Sequence, residues 1–460
     1  MSSQIDWAKY VAETEKNFTR KMANIEISDE GDSRRKNTIR DDDDANYQFN
    51  FLIRSKTKGL VESKNDIEVQ RKDPKSPLYS VKTFEALNLN PKLLKGVYDM
   101  GFNAPSKFQE KLLPTVLADS PQNLIAQALP GAGKTVAFVL AMLSRVDVTK
   151  KYPQVLCLSS TYELAIQTGE VAAYMAKFCP EIEMKFAVRG EDVPRGTKLT
   201  EHIIIGTPRK VLDWGIKFRV FDLKKIDVFI LDEADVMIAT QGHQDQCIRI
   251  HKNLRPTCQM MFFVPVYDQE VMDFAEHIVK TPIIMRLKGE EEILDNITQY
   301  YVRCANQQEK YSAVTNIYGT IAVGQAIIFC HTRKTASWLS GKMTTDGYAV
   351  AVLSGDLTVD QRISVLDRFR QGKEKVLITT NVLSRGIKFE QVTTIVNFDL
   401  PVNVHGKADC DTYLYRIACT VRFGKSGTVI NLVDSDQSMA ICKSIEKHFN
   451  RKFHYLNINK

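Results

Sequence analysis

The stretch Gly131-Ala132-Gly133-Lys134-Thr135 joins two backbone-permissive glycines to a cation and a hydroxyl. It follows the apolar run Leu124-Ile125-Ala126 and the step Ala128-Leu129-Pro130, and it precedes a helical pattern from Val136 to Leu143. Glycines let backbone N–H groups close on a phosphate, and a helix N-terminus adds a favourable dipole. Lys134 is then placed to neutralise β- and γ-phosphates, and Thr135 to ligate Mg²⁺. The first position of the usual pattern is Ala128 rather than glycine. A plain strand-to-helix turn rich in small residues is the bland alternative; Gly-x-Gly-Lys-Thr in this setting tells against it.

A second constellation is Asp232-Glu233-Ala234-Asp235, which ends the apolar run Phe229-Ile230-Leu231. Ligands of open α/β sheets sit at the C-terminal ends of strands. There Asp232 is suited to hold Mg²⁺, directly or through water, and Glu233 to orient or deprotonate an attacking water. Acidic residues at a strand end also serve as helix caps. The phosphate loop upstream favours the chemical reading.

Both constellations need rigid strands behind them. Short β-rich runs recur at Val155-Leu156-Cys157-Leu158, Ile203-Ile204-Ile205, Val228-Phe229-Ile230-Leu231 and Met260-Met261-Phe262-Phe263. A second series comprises Ala326-Ile327-Ile328-Phe329, Val376-Leu377-Ile378, Thr394-Ile395-Val396 and Thr428-Val429-Ile430. Continuous apolar strands alternating with helical patterns predict parallel sheets covered on both faces. The polar stretch Lys288-Gly289-Glu290-Glu291-Glu292 is the expected link between two lobes. No repeat joins the halves at the level of sequence.

The chain of 460 residues, 44% of them hydrophobic, supports more than one core. Its 62 Lys and Arg against 55 Asp and Glu give a net charge of +7, which permits a nucleic-acid partner without demanding one. Nine scattered cysteines, none at zinc or redox spacing, suggest a reducing compartment. No run approaches the roughly 18 apolar residues of a membrane span, and the start lacks the apolar core of a signal peptide. These features predict a soluble intracellular protein. Residues 1–76, with Arg34-Arg35-Lys36 and Asp41-Asp42-Asp43-Asp44, read as a flexible arm. Within it, Phe49 to Val61 has a short amphipathic pattern able to dock on a folded lobe.

Residues 77 to 455 resemble the DEAD-box RNA helicases, whose name Asp232-Glu233-Ala234-Asp235 spells. Gly101-Phe102-Asn103-Ala104-Pro105-Ser106-Lys107-Phe108-Gln109 is similar to that family's adenine-reading motif. The likeness implies that Gln109 matches the adenine edge and Phe102 stacks on the base. Thr161-Tyr162-Glu163-Leu164-Ala165 and Gly206-Thr207-Pro208 resemble first-lobe RNA motifs. His331-Thr332-Arg333-Lys334, Thr379-Thr380-Asn381-Val382 and Ser384-Arg385-Gly386 resemble second-lobe ones. The resemblance implies two tandem RecA-like domains, at 77–288 and 289–460, each a mostly parallel sheet flanked by helices. ATP bound by Phe102, Gln109, Ala128, Gly131, Ala132, Gly133, Lys134 and Thr135 is expected, with Mg²⁺ on Thr135 and Asp232. RNA would meet Thr161, Thr207, Thr332 and Thr380, all hydroxyl donors suited to phosphates and sugars. Arg333, Arg362 and Arg385 suit phosphate or ion pairing. Lys134, Asp232, Glu233 and Arg422 would carry catalysis.

Pro77-Leu78-Tyr79-Ser80-Val81-Lys82, Ser160-Thr161-Tyr162 and Asn397-Phe398-Asp399-Leu400-Pro401 look closer to the nuclear-pore helicases of mRNA export. That subfamily implies ATP-driven remodelling of mRNA–protein complexes by a monomer, assisted by nucleoporins and export factors, in cytoplasm and nucleus and at the cytoplasmic face of the pore. Several positions depart from the pattern. Val264-Pro265-Val266 replaces Ser-Ala-Thr and removes two hydroxyls and a backbone donor. Lys388 stands for an Asp, and Arg209-Lys210 for Gly-Arg. In the last motif, Tyr415, Ala418, Cys419 and Val421 replace His, Gly, Arg and Gly, leaving Arg422 as the arginine for the γ-phosphate, with Arg416 nearby. An arginine there is worth roughly 10³–10⁵ in rate. The alternative is therefore a protein of the same fold that binds ATP and clamps RNA with weak or absent hydrolysis.

Overall fold

The computed structural model describes residues 67–70, 80–127, 133–194, 196–239, 242–264, 269–287, 294, 297–320, 325–381, 389, 391–403, 405–420 and 427–457. The N-terminal segment Phe49 to Val61 and the link Lys288–Glu292 lie outside the described residues. The chain divides into two compact units, one holding 69–126 and 133–285 and the other 286–460.

The first unit contains a sheet of eight strands: β1 (Ile67–Gln70), β2 (Leu124–Gln127), β3 (Val155–Leu158), β4 (Met184–Ala187), β5 (Ile203–Gly206), β6 (Val228–Asp232), β7 (Gln259–Val264) and β8 (Ile283–Leu287). Their order is β1-β8-β2-β7-β6-β3-β5-β4. The pairs β3/β5, β3/β6, β4/β5 and β6/β7 are parallel. Every residue of β3, β5, β6 and β7 is buried, as unbroken apolar runs require when helices cover both faces. One face packs Leu156, Leu158, Ile204, Phe229 and Leu231 around Trp214.

The second unit contains seven strands: β9 (Ile297–Arg303), β10 (Gln325–Phe329), β11 (Val350–Leu353), β12 (Val376–Thr379), β13 (Val392–Asn397), β14 (Gly427–Val433) and β15 (His454–Tyr455). Their order is β11-β12-β10-β13-β14-β9-β15, with β9 through β15 parallel throughout. Successive residues of β10 serve opposite faces: Ile327 and Phe329 join one core cluster, Ala326 and Ile328 the other.

Numbered from β2, the first sheet threads six contiguous strands as β2-β7-β6-β3-β5-β4. Numbered from β9, the second threads β9-β14-β13-β10-β12-β11. The two orders are the same, so β2 corresponds to β9, β3 to β10, β5 to β12, β6 to β13 and β7 to β14. Two RecA-like domains of one topology therefore lie in tandem, a repeat that the residues themselves do not display. The expected strands all form. Those the apolar pattern missed are mostly short, mixed in burial or peripheral: β4, β11 and β15 among them, and β9, which mixes buried, half-buried and exposed residues.

Among the described residues no helix is long and apolar enough to cross a membrane. None of the nine cysteines, all among the described residues, is in a disulfide, and all but Cys410 are buried.

Candidate nucleotide and RNA site

Strand β2 leads toward the helix Lys134–Ser144 through the loop whose residues Ala128, Gly131 and Ala132 lie outside the described residues. Gly133 caps that helix at φ 88°, a left-handed conformation that favours glycine, and it brings no side chain to cap the first N–H groups. The first N–H groups of the helix are thus left for a ligand acceptor. Lys134 and Thr135, half-buried, form the first turn.

Gln109 ties this corner to the preceding helix, Lys107–Leu117. The capping box Ser106-x-x-Gln109 starts that helix, with Gln109 N donating to Ser106 Oγ (3.2 Å) and Ser106 N to Gln109 Oε1 (2.9 Å). Gln109 Nε2 then donates to Gly133 O at 3.0 Å. The buried amide keeps a second N–H and a second lone pair, the minimum for reading a base edge. A Cβ on residue 133 would stand 2.6 Å from that amide nitrogen, so the glycine is required twice, by backbone angle and by contact. Phe102, half-buried, lies in the loop leading to this helix.

Strand β7 separates β2 from β6, a spacing of about 10 Å across two ladder steps. Phe138, one turn into the glycine-capped helix, packs its ring 5.2 Å from that of Phe263. Phe263 is the ladder partner of Asp232. The helix that begins at Lys134 and the acidic strand end are thereby brought to one edge of the sheet. Asp232 and Glu233 are both buried, and Glu233 N donates to Asp232 Oδ1 at 3.1 Å. Glu233 has φ 54°, a strained left-handed conformation for a non-glycine residue. Burial, reinforced by the charge of Asp232, pushes the Cys157 thiol far above its ordinary range. The Asp232 carboxylate and the Thr135 hydroxyl are oxygen ligands of the kind Mg²⁺ takes, and the N–H groups of the helix end suit the phosphates that would carry it. Among the described residues no group of three or more His, Cys, Asp or Glu forms a self-sufficient metal cage.

The four threonines fall on matching strand ends. Thr161 caps Tyr162–Met175 after β3, accepting from Leu164 N at 3.3 Å, and Thr332 caps Arg333–Thr345 after β10, accepting from Thr335 N at 3.0 Å. Thr207 follows β5 and caps its helix without a side-chain bond, while Thr380 follows β12 and is buried. In Thr161 and Thr332 the hydroxyl that caps the helix is the atom expected to meet RNA, since a cap hydroxyl sits where a helix end can meet phosphate. Arg333 pairs with Asp356.

Among the departures, Val264 is fully buried in the core at the end of β7; Pro265, Val266 and Lys388 lie outside the described residues. Cys419 is only 9% exposed and points its thiol at Tyr415 O, 3.5 Å away. Arg422 lies outside the described residues. Arg416 is no reserve for it. It is wholly buried, donating to Asn397 Oδ1 (2.8 Å), Asp399 O (2.8 Å) and Asn381 Oδ1 (2.7 Å), with its guanidinium 4.8 Å over the Phe329 ring. Burial lowers its pKa to about 10, still fully charged at neutral pH.

Sequence reasoning gave no role to a cluster in the second domain. Lys310 Nζ lies 3.1 Å from Asp399 Oδ1 and 2.8 Å from Asp434 Oδ2. In sequence the stretch Asn397-Phe398-Asp399 is a subfamily mark and nothing more. An isolated Lys at 310 carries no signal until the fold brings three strand ends together.

Two family models match the chain: the DEAD/DEAH box helicase over residues 106–274 and the helicase conserved C-terminal domain over residues 309–424. The chain is 66% identical over 410 residues to the DEAD-box helicase Dbp80 of Drosophila melanogaster, covering 89% of either chain. It is 55% identical over 435 residues to the ATP-dependent RNA helicase DDX19B of Homo sapiens, covering 95% of this chain and 89% of that one. Among solved structures it is similar to S. cerevisiae Dbp5 bound to RNA and ADP BeF3, with TM-score 0.77, 40% identity and coverage of 82% and 96%. A Dbp5 variant bound to Nup159, Gle1, IP6 and ADP matches with TM-score 0.63 and 38% identity, covering 81% and 96%. With its open helix end, its buried acidic strand end and these relatives across nine-tenths of its length, the chain belongs to the DEAD-box RNA helicase family, in the group of the Dbp5 and DDX19 proteins.

Proposed function

We propose that this protein is an ATP-dependent RNA helicase that remodels mRNA–protein complexes in mRNA export. The observation that carries the reading is the helix end at Gly133, uncapped and tied to Gln109, at the same sheet edge as the buried Asp232–Glu233 pair. ATP binds the first domain, residues 77–288, with its base at Phe102 and Gln109 and its phosphates on the loop through Lys134. Mg²⁺ is held by Thr135 and Asp232. Glu233 orients the attacking water and Arg422 stabilises the transferring phosphate. Single-stranded RNA meets Thr161 and Thr207 on the first domain, and Thr332 and Thr380 on the second, residues 289–460. The protein acts as a monomer with nucleoporins and export factors at the cytoplasmic face of the nuclear pore; the similarity to Dbp5 bound to Nup159 and Gle1 supports the partners.

A second reading, an ATP-dependent RNA clamp with slow hydrolysis, is favoured by one observation. The side chain at 419, where relatives carry an arginine for the γ-phosphate, is a small thiol buried in the second-domain core. RNA-stimulated ATP turnover, measured beside Lys134→Ala, decides between them. The helicase reading expects turnover that falls by about 10² or more in the variant, in line with the loss of a charge-stabilising donor. An equally flat background in both proteins selects the clamp. In that case Cys419→Arg combined with Ser-Ala-Thr at 264–266 should raise turnover.

A further inference from the structure

Asp399 stands just beyond β13 and is held on every side. Its N–H donates to Phe329 O at 3.2 Å, and its carbonyl accepts from Arg416. Its Oδ1 takes Lys310 Nζ, and its Oδ2 accepts from His331 N at 2.9 Å. His331 precedes Thr332 in the turn between β10 and its helix. The same turn is fixed from the other side by Cys330 N, which donates to Thr379 O at 2.8 Å beside Thr380. Thr332 itself is exposed. An exposed threonine is thus carried on a backbone strung between the end of β12 and one carboxylate.

The carboxylate is held in turn by Lys310. That ammonium group is almost wholly buried, with its side chain 5% exposed, and lies 5.3 Å over the Phe398 ring. A buried cation is tolerated only when paired, and here two carboxylates of neighbouring strand ends supply the pairing. Asp434 is the second, and Ser438 bonds it as well. Only Asp399 of the two also touches the Thr332 turn.

We infer that Lys310 and Asp399 are positioning residues for RNA, fixing through His331 N–H the turn that presents Thr332. The inference rests on the reading of Thr332 as an RNA contact. Loss of Lys310 leaves two carboxylates facing each other and pushes Asp399 off the turn. In Asp399→Asn the amide can face its oxygen to only one of Lys310 and His331 N–H, so one bond is lost without loss of volume.

The experiment measures RNA affinity by fluorescence anisotropy with a non-hydrolysable ATP analogue, on the full chain, together with analogue affinity and thermal unfolding. Lys310→Met and Asp399→Asn should each weaken RNA binding about tenfold, the scale of one charge-assisted hydrogen bond. Analogue affinity, read in the first domain, should stay within about twofold. Asp434→Asn is the matched control: it disturbs the same lysine without touching the turn, and RNA affinity should hold. Equal RNA losses in all three variants, tracking their melting temperatures, would make the cluster merely structural and overturn the inference. So would wild-type RNA affinity in Lys310→Met. Thr332→Val separates the premise: unchanged RNA affinity there sinks the RNA reading of the turn, and this inference with it. A loss there without loss in Lys310→Met sinks the inference alone.

Discussion

In the first domain β2 leads to a helix that begins at Lys134, behind a left-handed glycine and with no side-chain cap. In the second, the corresponding β9 passes through Cys304-Ala305-Asn306 into Gln307–Thr320, and that helix end is closed from within. Asn306 Oδ1 accepts from Glu309 N at 3.0 Å, and Glu309 Oε2 accepts from Ala305 N at 2.7 Å. The strand ends facing it differ in the same sense. Registered through Thr161 and Thr332, Asp399 occupies in the second domain the position of Glu233 in the first. There it is neutralised by Lys310, the ion pair standing where the first domain is suited to a metal–phosphate group. Identical strand order therefore does not make two nucleotide sites. A RecA-like corner is open to phosphate when glycine leaves the helix end uncapped, and it is closed when the chain supplies its own anion and cation.

Gly133 is the residue on which the difference between the two corners rests most heavily. Gly133→Ala forces a Cβ to 2.6 Å from Gln109 Nε2 at a backbone angle that alanine resists. The expected result is a first domain less stable by about 1–3 kcal/mol and an ATP-analogue affinity lowered at least tenfold. Calorimetric titration with the analogue, beside a thermal melt, checks both; unchanged affinity would show that the glycine is not part of the cradle. The matching change in the second domain is Asn306→Ala. Loss of one cap should cost about 1 kcal/mol of stability and leave nucleotide affinity untouched. A drop in nucleotide affinity there would mean that the second corner is not pure scaffold.

The smallest effect is a pH dependence at Asp434. Burial pushes its pKa up, but the bonds and charge of Lys310, with Ser438, outweigh it and hold the carboxyl below its ordinary 3.8. A depressed carboxyl stabilises the fold fully above that ordinary value, and the contribution is lost as pH falls through the lowered one. Melts of wild type and Asp434→Asn should differ by a constant amount at neutral pH and converge below pH 3.8. A gap that persists in strong acid would assign the stabilisation to packing instead.

Much of this was legible in the residues. The glycine loop, the acidic strand end and the buried strands each declare themselves over a few neighbours, because a parallel strand covered on both faces must be apolar at every position. The link from Gln109 to Gly133 had half a signal, since Ser106-x-x-Gln109 is a capping-box spelling; the other half spans 24 positions and appears only on folding. Arg416 illustrates the reverse. In sequence it is only an arginine near Arg422, and the fold seals it among Asn381, Asn397 and the Asp399 carbonyl.

By itself the sequence determined what is local: which segments are strands, where glycine frees a backbone, and where a carboxylate ends an apolar run. It also determined family membership, because several such local marks occur in one order. The tertiary structure alone decided which charges face one another. Lys310, Asp399 and Asp434 are far apart in the chain and meet only because β9, β13 and β14 lie side by side. Coulomb interaction depends on distance and burial in space, and neither is written in spacing along the chain.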